Sequence, residues 1–253
     1  MTAVKKSNNS FIWSAIILFL FCGPLLLHAA EKSDITIDNL ADRVNQTRAQ
    51  KGLQQLDVDR RLNDAARAHS EKMAEHDLLS ESGPALGTPF ERIRKSRLTD
   101  TNSLVVVARA PDWNLMKEQL DSEDNVSKIL SPEMTHMGVG IFADTNGNHW
   151  VTLHMTERAI NFTLFTMNQT TGNPIKRSMK INGNTRHEKV RALLIPPEDS
   201  SRDTLEQIVV PDSNGDFEIK FSFGVTAGNF SFEFSVFENE MYKLKNSFSM
   251  EIR

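Results

Sequence analysis

The spacing of apolar and polar positions changes character along this chain. An almost unbroken apolar run extends from Phe11 to Leu27, and between residues 38 and 77 the apolar positions fall at helical spacing instead. Leu40, Val44, Thr47 and Arg48 open one helix, which Lys51-Gly52 closes with a glycine in the C-cap position. Asp59 is placed to cap a second helix, along which Leu62, Ala65, Ala66, His69 and Met73 share a face. Gly83-Pro84 and Gly87-Thr88-Pro89 mark a loop. A short helix is expected around Phe90, Ile93 and Arg94, an apolar run over Leu104 to Ala108, and a further helix from Trp113 to Leu120.

From Met137 the period becomes two. Met137 to Phe142 and His149 to Met155 read as strands joined by a tight Asn146-Gly147 turn. In the second strand Trp150, Thr152 and His154 share one face, and Val151, Leu153 and Met155 the other. Beyond residue 160 no helical period remains. Strand-like runs recur at Ile160–Thr166, Val190–Ile195, Leu205–Val210, Phe217–Phe223 and Phe230–Phe237, the last two with alternating phenylalanines. The pattern predicts an α+β chain, with a mixed layer up to about Glu157 and then an all-β, immunoglobulin-like sandwich.

The first thirty residues read as an export signal. Lys5 and Lys6 precede the apolar run, Gly23-Pro24 breaks it, and Ala29-Ala30 supplies small residues for cleavage. Its length also suits a bilayer-spanning anchor, so residues 11–30 are the expected membrane contact if cleavage does not occur. The expected divisions are 1–30 (signal or anchor), 31–158 and 159–253, in a periplasmic or secreted protein. Cys22, the only cysteine, lies in that first segment, so a cleaved chain carries no disulfide and depends on its core. Formal charge is −4, and the only basic cluster is Arg92, Arg94, Lys95 and Arg97, which argues against nucleic acid as a partner.

The first region resembles the cysteine-free bacterial branch of the CAP superfamily (SCP/PR-1-like). The resemblance rests on Asn45 and Arg48, Gly52-Leu53 and Leu56, on Leu62, Ala65, Ala66, His69 and Met73, and on Ser122 with Ile129-Leu130-Ser131-Pro132. Met137-Gly138-Val139-Gly140 completes it. It implies a CAP-type α/β/α sandwich, and a cleft in which two histidines and acidic partners can hold a divalent metal. At the positions where the resemblance puts those histidines, this chain has Glu81 and Asn125. No glutamate lies between Glu91 and Glu118, where the resemblance implies another. Zinc favours imidazole and thiolate, so the expected cofactor is none, neither zinc nor another divalent metal.

The residues expected to line the cleft are His69, Glu81, Ser122, Asn125 and His154, with no catalytic or metal-ligating assignment. His69 and His154 read first as core histidines, His76 as a helix-end cation, and His136 and His149 as solvated residues flanking strands. Neither Ser80 nor Ser122 has a histidine placed beside it, as a nucleophile requires. Asp144–Gly147 and Asp212–Asp216 resemble fragments of calcium loops but lack the downstream glutamate, and read as hairpin turns without calcium. The leading expectation is a non-catalytic binding protein whose partner is a cell-envelope polymer, lipid or protein. Two alternatives stay open: a metal-assisted hydrolase with a rebuilt set of His69, Glu81 and His154, and an adhesive or docking module acting through the C-terminal sandwich.

Overall fold

The computed structural model describes residues 34–169, 176–198, 202–224 and 227–252. The signal or anchor reading of residues 1–30 lies outside them. Two helices open the described chain, α1 (Ile37–Ala49) and α2 (Arg60–Glu75), with the two-residue strand β1 (Asp57–Val58) between them. Thr36 caps α1, Gly52 turns the chain after it at φ +70°, and the Asp59 carboxylate accepts the Arg61 N–H at 2.8 Å to start α2. Helix α3 (Pro89–Lys95) begins with proline at its first turn, where no N–H is needed, and with a reciprocal capping box between Thr88 and Glu91. Next come β2 (Ser103–Ala110), α4 (Trp113–Leu120), α5 (Glu123–Ile129), β3 (His136–Ala143) and β4 (His149–Thr156).

The four strands form one sheet in the order β1-β3-β4-β2, with β1 parallel to β3 and the other pairs antiparallel. Alternation along the strands gives it two distinct faces. Val106, Ala108, Met137, Val139, Val151, Leu153 and Met155 bury against Leu40 and Val44 of α1, Met116 and Leu120 of α4, and Ile129 of α5. The opposite face carries Trp150, Thr152 and His154 and receives α2 and α3. Helix α2 lies backbone-close on β3, because a Cβ on Gly138 or Gly140 would come within 2.1 Å of the Leu62 or Ala66 carbonyl carbon. This is the three-layer sandwich that the resemblance implies.

The Asn45 and Arg48 signature proves architectural. Asn45 exchanges two hydrogen bonds with the Leu56 backbone, at 2.8 and 3.1 Å. Arg48 is fully buried and donates to the carbonyls of Gln54, Ile129, Ser131 and Met134, tying α1 to the segment before β1 and to the end of α5 and the loop that leads into β3. Burial lowers its pKa, with Glu133 opposing.

The remaining strands are β5 (Ile160–Gln169), β6 (Lys176–Thr185), β7 (Val190–Ile195), β8 (Leu205–Val209), β9 (Asp216–Gly224), β10 (Gly228–Glu238) and β11 (Met241–Ile252). They make two antiparallel sheets, β5-β6-β9 and β11-β10-β7-β8, around one apolar cluster. Phe217, Phe221 and Phe223 from one sheet meet Phe230, Phe232 and Phe234 from the other. The Asp144–Gly147 segment is a hairpin turn whose aspartate gathers N–H donors from Asn146, Asn148 and Trp150. The Asp212–Asp216 segment departs from the expected hairpin. It carries the chain from β8 in one sheet to β9 in the other, with Asp212 accepting the Asn214 and Asp216 N–H groups.

The two regions meet without a long linker, since only three residues separate Thr156 of β4 from Ile160 of β5. Residues 99–101 pair as a short antiparallel strand on the edge of β11: Ser247 N–H donates to the Thr99 carbonyl and Thr101 N–H to the Lys245 carbonyl. Buried Asp100 takes the Asn246 side chain at 3.3 Å and Thr156 at 3.2 Å, and burial raises its pKa against the pull of Arg158.

Candidate functional site

The five residues expected in the cleft separate into two groups. His69, on the buried face of α2, is fully buried with Nε2 at 3.0 Å from the Ser80 carbonyl, so Nε2 carries the proton. His154, on β4, is also fully buried, and neither ring nitrogen has a protein partner. Burial and the neighbouring Arg92 guanidinium drive the His69 pKa down to about 4, and that of His154 to about 3. Arg92, half-way along α3, reaches under the loop to the carbonyls of Glu81 and Gly87, at 2.8 and 3.1 Å, and burial lowers its own pKa to about 10. These groups form a polar layer beneath α2 and α3. A pocket of about 250 Å³ lined by His69, Lys72, Glu91, Arg92 and Lys95 opens beside it.

Glu81, Ser122 and Asn125 sit elsewhere. The Glu81 carboxylate accepts from Lys128, whose ammonium also reaches Asp124 at 2.6 Å. Asn125 donates to the Gln119 carbonyl at 2.9 Å. Exposed Ser122 precedes α5, its hydroxyl making no capping bond to that helix, and Ser80 donates to the Ser82 carbonyl at 2.7 Å. No histidine stands beside either serine.

The other histidines divide as well. His76 ends α2 in solvent, at the helix end where it was expected. His136 departs from the solvated reading: it is half-buried, with Nδ1 at 2.8 Å from the Thr135 hydroxyl, and burial lowers its pKa. His149 departs too, being half-buried with Nδ1 out of solvent.

Residues 41–155 match the profile of the CAP family, described as the cysteine-rich secretory protein family. Residues 41–155 are a CAP domain. The protein YkwD of Bacillus subtilis (strain 168) is 29% identical over 104 residues, 40% of this chain and 40% of its own length, so the chain spans under half of that relative. Among solved structures, an extracellular SCP-domain protein from Bacillus anthracis str. Ames aligns at 23% identity, TM-score 0.44, over 48% of this chain and 40% of its own. An outer surface protein from Borrelia burgdorferi aligns at 16% identity, TM-score 0.44, over 47% of this chain and 90% of its own.

The metal-holding set that the CAP resemblance implies does not fit these residues. At its two histidine positions stand a carboxylate already neutralised by Lys128 and a neutral amide donating to a carbonyl. His69 and His154 face the buried layer. Among the described residues, the group of histidine and carboxylate ligand atoms that converges lies at the junction of the two regions. Glu157, His187 and Glu238 bring one atom each within 4.8 Å of one another. There the Lys245 ammonium is the resident cation, at 2.7 and 2.9 Å from the Glu157 oxygens and 2.9 Å from Glu238. The sequence carried no signal for this cluster, because its members come from the end of β4, a β6–β7 loop and β10.

Proposed function

We propose that this is an exported, non-catalytic binding protein built on a CAP domain whose cleft chemistry has been replaced. The observation that carries the reading is the commitment of Glu81 to Lys128 and of Asn125 to the Gln119 carbonyl. Side chains locked to one another in this way neither ligate a metal nor activate water, and they brace the loop after α2 against α5. The histidines that remain carry depressed proton affinity in a buried layer, unsuited to proton transfer near neutrality. The N-terminal pattern of Lys5, Lys6 and the apolar run to Leu27 supports export to the periplasm, envelope surface or medium. Among the described residues no helix is long and apolar enough to cross a membrane. The partner class is an envelope polymer, lipid or protein.

The four-plus-three division of antiparallel strands supports an immunoglobulin-like type for the C-terminal sandwich. Zinc titration of the full chain by calorimetry tests the main reading. We expect no stoichiometric heat; zinc bound at micromolar affinity or tighter, and lost in His69→Ala, would return the domain to metal chemistry.

A further inference from the structure

Strand β11 is an edge strand that the CAP domain covers only in part. Ser247 N–H and the Lys245 carbonyl are taken by residues 99 and 101. Backbone groups of alternate residues point the same way along a strand, so the N–H and C=O of Ser249 face the same open edge. The CAP segment cannot continue along it, because Arg97, in a left-handed conformation at φ +57°, turns the chain away. Beyond that turn lies a groove of about 360 Å³, lined by Leu98, Phe165, Phe248 and Met250 with Arg94 and Arg97 at its rim. Its far wall is Phe165 of β5, the edge strand of the other sheet, and that residue is 42% exposed. Phe165 closes on Phe248 edge-to-face at 5.4 Å.

An open strand edge beside an apolar groove is a pairing template. The rim adds a charge preference. Arg94, Lys95 and Arg97, from the one basic cluster in the sequence, make no ion pair among the described residues, and Arg94 lies over the Phe90 ring. We propose that this groove binds an extended segment of a partner protein by strand addition. The segment runs antiparallel to β11 as a continuation of residues 99–101, exchanges backbone hydrogen bonds with Ser249, sets alternate apolar side chains on Phe165, Phe248 and Met250, and presents a carboxylate to Arg94 and Arg97. The continuity with the pairing already made by residues 99–101 fixes the direction, and the unpaired arginines fix the sign of the charge. This deepens the binding reading and rests on it for a role in recognition.

The test is selection of peptides on the full chain from a display library of random ten-residue sequences, followed by affinity measurement with synthetic copies of the enriched peptides. We expect these to combine an acidic residue with apolar residues at alternate positions. Affinity is expected to fall at least tenfold in Ser249→Pro and in Arg94→Glu/Arg97→Glu. Proline removes only the outward N–H of an edge strand, where it is tolerated, and the arginine pair is a surface change that keeps the fold if proline does not. The proposal is overturned by no enrichment, or by peptides that bind both variants as they bind the wild type. It is also overturned if the wild type self-associates through this edge and Ser249→Pro abolishes that, or if phosphatidylglycerol vesicles bind with the same arginine dependence and no effect of Ser249→Pro. Peptide binding that ignores the groove removes this site and leaves the non-catalytic reading intact. Turnover of a substrate by the full chain removes that reading instead, whatever the peptides do.

Discussion

The CAP domain adds to its apolar core a buried polar layer, whereas the centre of the all-β region is packed with phenylalanines. Beneath its helices the CAP domain hides Arg48, His69, Ser70, Arg92, Thr152 and His154, each from an element that must be held against its neighbour. Ser70 bonds both the Gly140 carbonyl and Thr152, and Arg48 gathers four carbonyls. The all-β region instead fills its centre with phenylalanines, Phe232 stacking on Phe248 at 4.9 Å and Phe162 meeting Phe234 edge-on at 4.8 Å. Of its buried polar groups, Lys245 and Asn246 point back to the CAP side. A short loop-rich layer cannot satisfy its backbone within regular elements, so side chains do it. Each of the two sheets satisfies its own by hydrogen bonds between neighbouring strands, and apolar side chains then hold the two layers together.

The contrast can be broken most severely at the α2–β3 contact. Gly140→Val would drive a side chain into the Ala66 and Arg67 backbone and should cost about 4–5 kcal/mol or more, read as loss of native near-ultraviolet circular dichroism. Arg48→Met strands four carbonyls at once and is expected to cost about 3–5 kcal/mol in urea unfolding. Trimming the aromatic interior should be milder: Phe232→Leu keeps most of the buried volume and is expected to cost about 1–2 kcal/mol.

Acid sharpens the comparison further. His69 and His154 hold pKa values of about 4 and about 3 in the fold against an ordinary 6.5. Their contribution is complete above the unfolded value. As pH falls below it, the unfolded chain takes up protons that the folded chain refuses. Stability therefore declines from about pH 6.5 toward 4 and 3, with a limiting slope of ~1.4 kcal/mol per pH unit for each histidine. Urea unfolding of His154→Leu across pH 6.5 to 4 should lose that one histidine's share of the slope, together with unchanged or higher stability at pH 7, since no partner loses a bond. The smallest effect belongs to Glu81→Gln, a partly exposed ion pair, expected within about 1 kcal/mol of wild type.

Much of the fold was legible. Helix α4 and strand β7 match their sequence expectation residue for residue, and the others named there fall within a few positions. Helix α5 and three strands were not named, the first of these being the two-residue β1. Strand β6 buries Met179 and Ile181 among lysines, asparagines and serines, so its alternation is faint. Strand β11 alternates from Tyr242 to Ile252, but inward-facing Asn246 and the irregularity at Lys245 interrupt it, and both residues serve the junction with the CAP domain. The cleft was half legible. The substitutions at Glu81 and Asn125 can be read directly, whereas Lys128, Gln119 and Arg92, which decide what those side chains and the histidines do, join them only through tertiary packing.

Asp100 and Asn246 meet across 146 positions of sequence, and Glu157 waits 88 positions for Lys245. Synthesis runs from the N-terminus, so the CAP domain is complete long before the strand that answers its buried carboxylates exists. Until β11 is made, Asp100 lacks Asn246 and Glu157 lacks its lysine. The last strand is then a closing latch: its arrival gives Asp100, already held by Arg158, an amide partner and gives Glu157 its cation, and a chain ending prematurely anywhere before residue 245 leaves Glu157 without that lysine.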